Sequence, residues 1–288
     1  MTHPLRFAVC NEIFQDVSFG QMCREIAAIG YTGLEVAPHT LAEDATTLNQ
    51  EQRSELRDQM IDAGLEFVGL HWLLVSPPGL HITTDDLARR KRSWDYVHRA
   101  IDLCADLAGS KASDNGVVVF GSPKQRSTGG TMSPRQAADI FTHEMAHAAP
   151  HAETRGVTLL VESLPSTQSD VITCLQDAVA IVKQIGSPAV QTMFDVHNSV
   201  EEKEPHAELI RRYFPYLRHV HVNENDGREP GKGDYDFGAL LHVLEELEYN
   251  GWVSLEAFDF SRPGSEIAAG ALSHLKAASA QHVHAQSV

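Results

Sequence analysis

The sequence predicts an α/β protein folded as a single (β/α)8 TIM barrel. Its 288 residues are enough for one large α/β domain. Short apolar runs alternate with longer amphipathic runs eight times, with no linker or low-complexity segment between them. Strands that alternate with helices pair in parallel, and eight such units close into a barrel. An open, doubly wound sheet is the alternative, and it is disfavoured because no GxGxxG or GxxxxGK[ST] motif follows a strand.

The eight predicted strands are short apolar runs rich in branched and aromatic side chains, a composition typical of buried parallel strands. Several of them end at an acidic or histidine residue, although their other positions are apolar. The predicted strands cover residues 6–10, 32–37, 65–71, 116–121, 157–162, 189–195, 217–222 and 252–258.

The predicted helices follow these strands, and their ends carry recognisable signals. Thr84 is a plausible N-cap of the third helix, and Ser133 caps the fourth helix with Pro134 at its first position. Pro150 predicts a kink inside the fourth helix. The barrel domain is therefore expected over 1–280, followed by a solvated C-terminal tail over 281–288. The predicted helices cover residues 18–30, 49–64, 84–109, 133–156, 173–186, 204–214, 236–251 and 265–279.

Composition excludes several classes of partner. The formal net charge is −16, from 23 basic and 39 acidic residues, and such a surface repels nucleic-acid phosphates. No apolar run approaches the roughly 20 residues that a membrane-spanning helix needs, and the N-terminus is too polar for a signal peptide. The four cysteines form no CxxC pair and no disulfide framework. These features predict a cytoplasmic protein that binds neither nucleic acid nor membrane.

Charged and imidazole side chains recur at the ends of the predicted strands. In a barrel of this type, the functional side chains lie at the carboxyl ends of the strands. A carboxylate buried there without a partner would destabilise the folded state by roughly several kcal/mol or more. A divalent cation at the mouth of the barrel would provide one common partner for acids on successive strands. The strand-end residues are Glu35, His71, Glu162, Asp195, His221 and Glu256.

The candidate metal ligands are Glu162, Asp195, His221 and Glu256, one from each of the last four strands. Three carboxylates and one imidazole favour Mn²⁺, Co²⁺ or Mg²⁺, with Zn²⁺ as a further option. His219 and His221 lie two residues apart, so a strand would present both rings on the same face. His221 is nearer the carboxyl end and is the predicted ligand, whereas His219 would support it from one layer deeper.

Four segments resemble the xylose-isomerase-like TIM-barrel superfamily, in particular its sugar isomerase/epimerase branch, that of D-tagatose 3-epimerase and its relatives. The segments are "LLVESLP" (159–165), "TMFDVHNS" (192–199), "RHVHVNENDGREPGKGDYDF" (218–237) and "VSLEAF" (253–258). The resemblance covers most of the chain and is most specific between about residues 157 and 258.

The resemblance implies a metal-dependent isomerase or epimerase that moves a proton next to a carbonyl through an enediolate. The metal ligands implied by the family are the same Glu162, Asp195, His221 and Glu256. Glu162 and Glu256 would also be the catalytic acid/base pair, while the metal polarises the carbonyl. The substrate would be a ketose, a keto-acid sugar or a sugar phosphate. Relatives of this kind are often dimers or tetramers, so the resemblance implies a homodimer or homotetramer.

Two residues match substrate-binding positions of the family with small shifts in spacing. His197 follows the strand-six aspartate one residue earlier than in the family, and Arg228 follows the strand-seven histidine one residue later. A further glutamate that free-ketose epimerases carry after strand five is replaced here by Gln168. The identity of the substrate therefore stays open.

Four other residues are predicted to bind substrate. Lys124 and Arg126, in the loop "VFGSPKQRSTGG" (119–130) after strand four, could meet a phosphate or carboxylate group. Glu35 and His71 either bind substrate hydroxyls or tie strands two and three together.

Alternative functions remain at this point. An inosose-type dehydratase or a hydroxypyruvate-type isomerase would use the same metal site. A nuclease resembling endonuclease IV needs three zinc ions, but the histidine expected at strand four is missing, and "DYD" (234–236) replaces an Asp-x-His pattern. A non-catalytic sugar-binding barrel is disfavoured because the four-ligand set is intact.

Overall fold

The computed structural model describes residues 4–109 and 116–285, and for residues 281–285 it describes the backbone. Eight parallel strands form a closed barrel in chain order, and a helix follows each strand. The predicted (β/α)8 TIM barrel is therefore confirmed. The strands are β1 (Arg6–Cys10), β2 (Gly33–Val36), β3 (Glu66–Leu70), β4 (Val117–Phe120), β5 (Thr158–Val161), β6 (Val190–Asp195), β7 (Leu217–Val222) and β8 (Trp252–Leu255).

The α-helices lie close to the predicted ranges, and most of their differences are at the ends. The α-helices are α1 (Phe19–Ile29), α2 (Gln50–Asp62), α3 (Leu87–Ala108), α4 (Pro134–Arg155), α5 (Leu175–Ile185), α6 (His206–Tyr213), α7 (Phe237–Glu246) and α8 (Gly264–Ala285). None of these described helices is long and apolar enough to cross a membrane.

Backbone contacts group the chain into two compact units. One consists of Met1–Glu35, Gln59–Glu66 and Met193–Val288, and the other of Val36–Asp58 and Phe67–Thr192. In the first unit, β8 pairs in parallel with β1 and with β7, and its Ser254 lies opposite His221. In the second unit, β4 pairs in parallel with β3 and with β5.

The strands are buried along most of their length, as expected for parallel strands covered on both faces. The second and fourth strands and the eighth strand are buried at every position. Within this apolar set, Glu35 and the two β7 histidines are also almost completely buried. Polar groups in such positions require hydrogen-bond partners, and those partners define the candidate site.

Two helix ends differ from the prediction for identifiable reasons. The N-cap of α3 is Asp86, whose carboxylate accepts from the Arg89 N–H at 2.9 Å, so the prediction of Thr84 was wrong. Thr84 instead accepts from the Asp86 N–H at 3.2 Å, one turn before the helix. The predicted cap at Ser133 is confirmed, and Gln136 completes a capping box.

The last helix extends further than the sequence predicted. The last helix continues to Ala285, beyond the predicted end at 279, so the predicted tail from 281 begins inside a helix. Residues 286–288 lie outside the described part of the chain. The fourth helix continues through Pro150 and ends at Arg155.

Candidate metal centre

The two β7 histidines share one carboxylate. His219 and His221 lie on the same face of β7 because strand side chains alternate, and their rings meet edge to face with centroids 4.9 Å apart. The Nε2 atom of His219 is 2.8 Å from Glu35 Oε2, and the Nε2 atom of His221 is 3.1 Å from Glu35 Oε1. Glu35 is 0% exposed, so this β2 carboxylate makes these bonds away from solvent.

The opposite side of the His221 ring faces two more carboxylates. Its Nδ1 atom lies 3.1 Å from Glu256 Oε2 and 3.4 Å from Asp195 Oδ2. Asp195 ends β6, and Glu256 directly follows β8. Two carboxylates that converge on one nitrogen in a buried site need a positive charge between them, either a proton on the imidazole or a metal ion.

The electrostatics of this cluster favour a charged imidazole. Burial opposes the charge, but attraction to Glu35 and then Glu256 outweighs it and holds the pKa of His221 well above its usual range. Burial likewise opposes ionisation of Glu35, but attraction to His219 and His221 holds the pKa of Glu35 well below its usual range. If His221 is a metal ligand, as the sequence predicts, a proton and a divalent cation would compete for its Nδ1 atom.

Glu162 directly follows β5, and its position depends on a glycine and an arginine. A Cβ atom added to Gly121, just after β4, would lie 1.6 Å from Glu162 Oε2, so only glycine leaves room for the carboxylate. The Arg126 Nη1 group donates to the carbonyl oxygens of Phe120 and Glu162, at 2.9 and 2.7 Å. Arg126 thus joins the carboxyl ends of β4 and β5.

Arg126 is itself unusual. Its guanidinium group is buried, with the side chain 1% exposed, and its Nε and Nη2 atoms have no hydrogen-bond partner among the described residues. Burial lowers the pKa of Arg126 to about 10, although Glu162 opposes this shift. Nε–H and Nη2–H are donors that in a guanidinium can bind one carboxylate bidentately. Such a pair of donors is costly to leave unpaired in a protein interior.

Three of the four predicted ligands form one group of buried ligating atoms. One atom each from Asp195, His221 and Glu256 lies within 4.8 Å of the others, and the fourth predicted ligand, Glu162, is the buried residue directly after β5. Three carboxylates and one neutral imidazole are a donor set that suits a divalent cation with a preference for oxygen. The residues present therefore fit the metal that the sequence predicts.

Comparison with known proteins agrees with this geometry. The family model described as xylose isomerase-like TIM barrel matches residues 23–278. The chain belongs to the xylose isomerase-like TIM barrel family. The resemblance predicted from the strand-end motifs is thereby confirmed.

Relatives within this family carry isomerase and epimerase names. A putative hydroxypyruvate isomerase from Danio rerio is 27% identical over 268 residues, 88% of this chain and 90% of that protein. A D-psicose 3-epimerase from Agrobacterium fabrum is 23% identical over 248 residues, 83% of this chain and 79% of that protein. A 3-keto-D-glucoside 4-epimerase from E. coli has a similar fold, with a TM-score of 0.81, 19% identity and coverage of 95% and 100%. The two sequence relatives support the predicted enzyme class, an isomerase or epimerase, and the solved structure supports the fold.

The predicted substrate-binding residues of this family member lie in different environments. His197 follows β6, and its Nδ1–H group donates to the Asn225 carbonyl at 2.8 Å, while Phe258 packs edge-on against its ring. Arg228 donates to Asp226 at 2.8 Å and is about half exposed. His197 is therefore held by the loop after β7, whereas Arg228 lies at the surface of that loop.

The other predicted substrate-binding residues lie after β2, β3 and β4. Lys124 is exposed in the loop that also carries Arg126. His71 directly follows β3, is buried, and has its ring edge-on to Trp72. The sequence predicted that Glu35 either binds substrate hydroxyls or ties strands two and three together. Its hydrogen bonds to His219 and His221 on β7 belong to neither role.

Sequence reasoning missed Asn223 as a residue of the site. Its side chain is buried, donates to Asp195 Oδ2 at 3.4 Å, and accepts from the His197 N–H at 2.9 Å. The signal was present, because residues 219, 221 and 223 share one face of an extended strand. Asn223 therefore holds a predicted ligand and a predicted substrate-binding residue in fixed positions.

Glu224 is a second residue that the sequence did not single out. Its buried carboxylate accepts from the Gly231 N–H at 2.8 Å and from the Tyr235 N–H at 3.2 Å. Asp236 then caps α7 by accepting from the Ala239 N–H at 3.0 Å. Glu224 thus fixes the course of the loop that carries Arg228.

Proposed function

We propose that this chain is a divalent-metal-dependent sugar isomerase or epimerase that moves a proton next to a carbonyl through an enediolate. The observation that carries the proposal is the convergence of the buried Asp195 and Glu256 carboxylates on Nδ1 of His221, and we propose Glu162 as the fourth ligand. Each of the four belongs to a separate strand end, where enzymes of this fold place their chemistry. Mn²⁺, Co²⁺ or Mg²⁺ suits this donor set best, and Zn²⁺ is a further option.

In the proposed mechanism, the two glutamates transfer the proton. The metal, when bound, polarises the substrate carbonyl and stabilises negative charge on its oxygen. Glu162 has space for its carboxylate over Gly121, and Glu256 is oriented by the bond between its Oε2 atom and His221. Each group would contribute about 10²–10⁴-fold to the rate.

The remaining polar residues would hold the substrate. His197 would bind a substrate oxygen through Nε2, because its Nδ1 atom is already bonded to the Asn225 carbonyl. Arg228 would reach the substrate from the loop that Glu224 fixes. We keep His71 as a candidate for a substrate hydroxyl. A ketose, a keto-acid sugar or a sugar phosphate would fit these polar groups.

A hydroxypyruvate-type isomerase is the second candidate function, and Arg126 favours it. A short keto acid carries a carboxylate next to the reacting carbonyl, and Arg126 bonds to the carbonyl group of the ligand Glu162. Its unpaired Nε and Nη2 groups would bind that carboxylate once the loop shifts, and Gly129 and Gly130 would permit the shift. Lys124, exposed on the same loop, would attract the anion. The names of the curated relatives are compatible with both candidates.

Three further statements stay predictions of the sequence. We propose that residues 1–280 act as one catalytic domain, that the protein is a cytoplasmic homodimer or homotetramer, and that its partner is a small sugar or sugar phosphate. The net charge of −16 supports the absence of a nucleic-acid partner.

Metal analysis of the purified protein tests the proposal first. We expect one divalent ion per chain in the wild type and its loss in Asp195→Ala and His221→Ala. Glu66→Gln is the matched control, because Glu66 lies at the opposite end of a strand and pairs with Arg6 at 2.8 Å. A wild type that retains no metal and gains no activity with added Mn²⁺, Co²⁺ or Mg²⁺ would contradict the proposal.

Solvent exchange then tests the acid/base assignment. The metal-loaded wild type should exchange a substrate proton in D₂O with D-psicose, D-fructose or hydroxypyruvate. Glu162→Gln and Glu256→Gln should slow this exchange by about 10²–10⁴-fold. Full exchange in both metal-loaded variants would show that other groups transfer the proton.

A further inference from the structure

We propose that Glu35 is a positioning residue that sets the tautomer of His221 and thereby prepares its Nδ1 atom to bind the metal. The inference rests on the proposed function, because it assigns His221 as a ligand. In this role, Glu35 acts through His221 and does not contact the substrate. The role also explains why an apolar barrel strand carries a buried carboxylate. The geometry comes from β2 and β7 alone.

The first step concerns the location of the proton. An ionised carboxylate can only accept hydrogen bonds, so the nitrogen that faces it must carry a proton. Both Glu35 oxygens lie within reach of His221 Nε2, at 3.1 and 3.3 Å. In a neutral imidazole, a proton on Nε2 leaves a lone pair on Nδ1. Nδ1 is the atom that faces Asp195 and Glu256.

The second step concerns the alternative tautomer. With its proton on Nδ1, His221 would present an Nε2 lone pair to a carboxylate oxygen about 3 Å away. Glu35 is 0% exposed and His221 is also fully buried, so water is poorly placed to relieve the repulsion. Electrostatic mismatches of this kind are costly in a protein interior. Glu35 therefore favours the tautomer that can bind a cation at Nδ1.

The third step explains the second histidine. His219 Nε2 lies 2.8 Å from Glu35 Oε2, the shorter of the contacts made by the two rings. This bond fixes the Glu35 carboxylate from the side nearer the amino end of β7, and the carboxylate in turn orients His221. The histidine pair of β7 thus has two roles, in which the inner ring anchors Glu35 and the outer ring binds the metal. Carboxylate–histidine–metal arrangements of this kind increase ligand basicity and fix ring orientation.

Glu35→Gln and Glu35→Asp distinguish proton placement from packing. In either orientation, an amide at position 35 would place one donor NH₂ group and one acceptor oxygen within 3.3 Å of His221 Nε2, in place of two acceptor oxygens. Glutamine would therefore remove the preference for a proton on Nε2, although it has the same shape. Aspartate is one methylene shorter but still only accepts. We expect Glu35→Gln to weaken Co²⁺ binding by about 10–100-fold and Glu35→Asp to weaken it less.

Co²⁺ binding to each full-length variant is measured by visible absorption, with thermal unfolding as a check on folding. Glu229→Gln is the matched control, because Glu229 is also a buried carboxylate, is bonded to Arg262, and should leave the Co²⁺ affinity unchanged. A Glu35→Gln affinity within twofold of wild type, or a larger loss in Glu35→Asp than in Glu35→Gln, would overturn the inference. A wild type that fails to bind Co²⁺ would overturn the proposed function as well.

A measurement on the wild type avoids any difficulty with folding of the variants. In Zn²⁺-loaded, ¹⁵N-labelled protein, the His221 ring should show a protonated Nε2 and a metal-bound Nδ1. Metal bound through Nε2, or an unprotonated Nε2, would contradict the assignment of Glu35 while leaving metal binding itself established.

Discussion

Gly121→Ala should inactivate the enzyme while leaving its fold intact. The added Cβ atom would lie 1.6 Å from Glu162 Oε2, whereas ordinary contacts begin at 3.4 Å, so the carboxylate must retreat by about 1.8 Å. This retreat is close to a full metal–oxygen bond length of about 2.1 Å. The Glu162 carboxylate would therefore leave the position in which we propose that it binds metal and transfers a proton.

The expected effects on activity and on stability are of different sizes. Loss of one proton-transfer group predicts a fall in kcat/KM of about 10²–10⁴-fold. The backbone of Gly121 is not in the left-handed region, and the atom that the new methyl group meets is the end of a flexible side chain. The free energy of unfolding should therefore change by about 1 kcal/mol or less, which corresponds to a shift in Tm of roughly 2–4 °C.

The assay compares three quantities in wild type and variant, namely kcat/KM on the best substrate, the Kd for Mn²⁺ from competition with a chelator, and Tm. Gly270→Ala is the control, because a Cβ atom there meets no atom of the described residues within 4 Å. Full activity and unchanged Mn²⁺ affinity in Gly121→Ala would refute the placement of Glu162. A large fall in Tm would instead show that the carboxylate cannot move aside.

Three further predictions concern metal binding, the loop after β7 and a helix end. Metal affinity measured between about pH 6 and 8 should rise by up to tenfold per pH unit. The pKa of His221 is raised, so a proton must leave its ring before the cation binds. An affinity that does not change with pH would contradict this competition. Glu224→Gln should raise KM more than it lowers kcat in steady-state kinetics, because the amide replaces one of the two acceptor oxygens that hold the Arg228 loop. A larger effect on kcat than on KM would indicate that Glu224 takes part in the chemistry. Asp86→Ala should reduce the free energy of unfolding in urea by about 0.5–2 kcal/mol, and Thr84→Ala by less; equal losses would contradict the assignment of the cap.

The sequence was sufficient to predict the fold because the barrel repeats one simple pattern. Each apolar run is followed by an amphipathic segment, and the glycines at 30, 156 and 186 mark helix ends that adopt left-handed backbone conformations. The predicted ligand set also depended on a regular feature, namely acidic or histidine residues at successive strand ends. Those signals are local in the sequence, and hence readable without a structure.

Contacts between distant segments could not be predicted in the same way. Glu35 and His219 are 184 residues apart, and no local pattern indicates which of several strand ends a buried carboxylate will meet. Thr84 and Asp86 are both acceptable caps by composition, and only the backbone geometry shows which side chain faces the first turn. Arg126 was predicted to meet an anion, but its bonds to two strand-end carbonyl groups were not apparent.

One face of β7 and of the residue that follows it links these findings, because His219, His221 and Asn223 occupy successive alternate positions. Each bonds to at least one buried acidic residue, so this face is polar where apolar side chains would otherwise pack. Buried polar networks of this kind contribute little net stability compared with apolar side chains of similar size. Their retention in β7 is therefore best explained by function, since the same three side chains orient Glu35, Glu256 and Asp195. Replacing the whole line by apolar residues should abolish metal binding and also lower the free energy of unfolding by roughly 3–5 kcal/mol or more, because Glu35, Asp195 and Glu256 would stay buried without these partners.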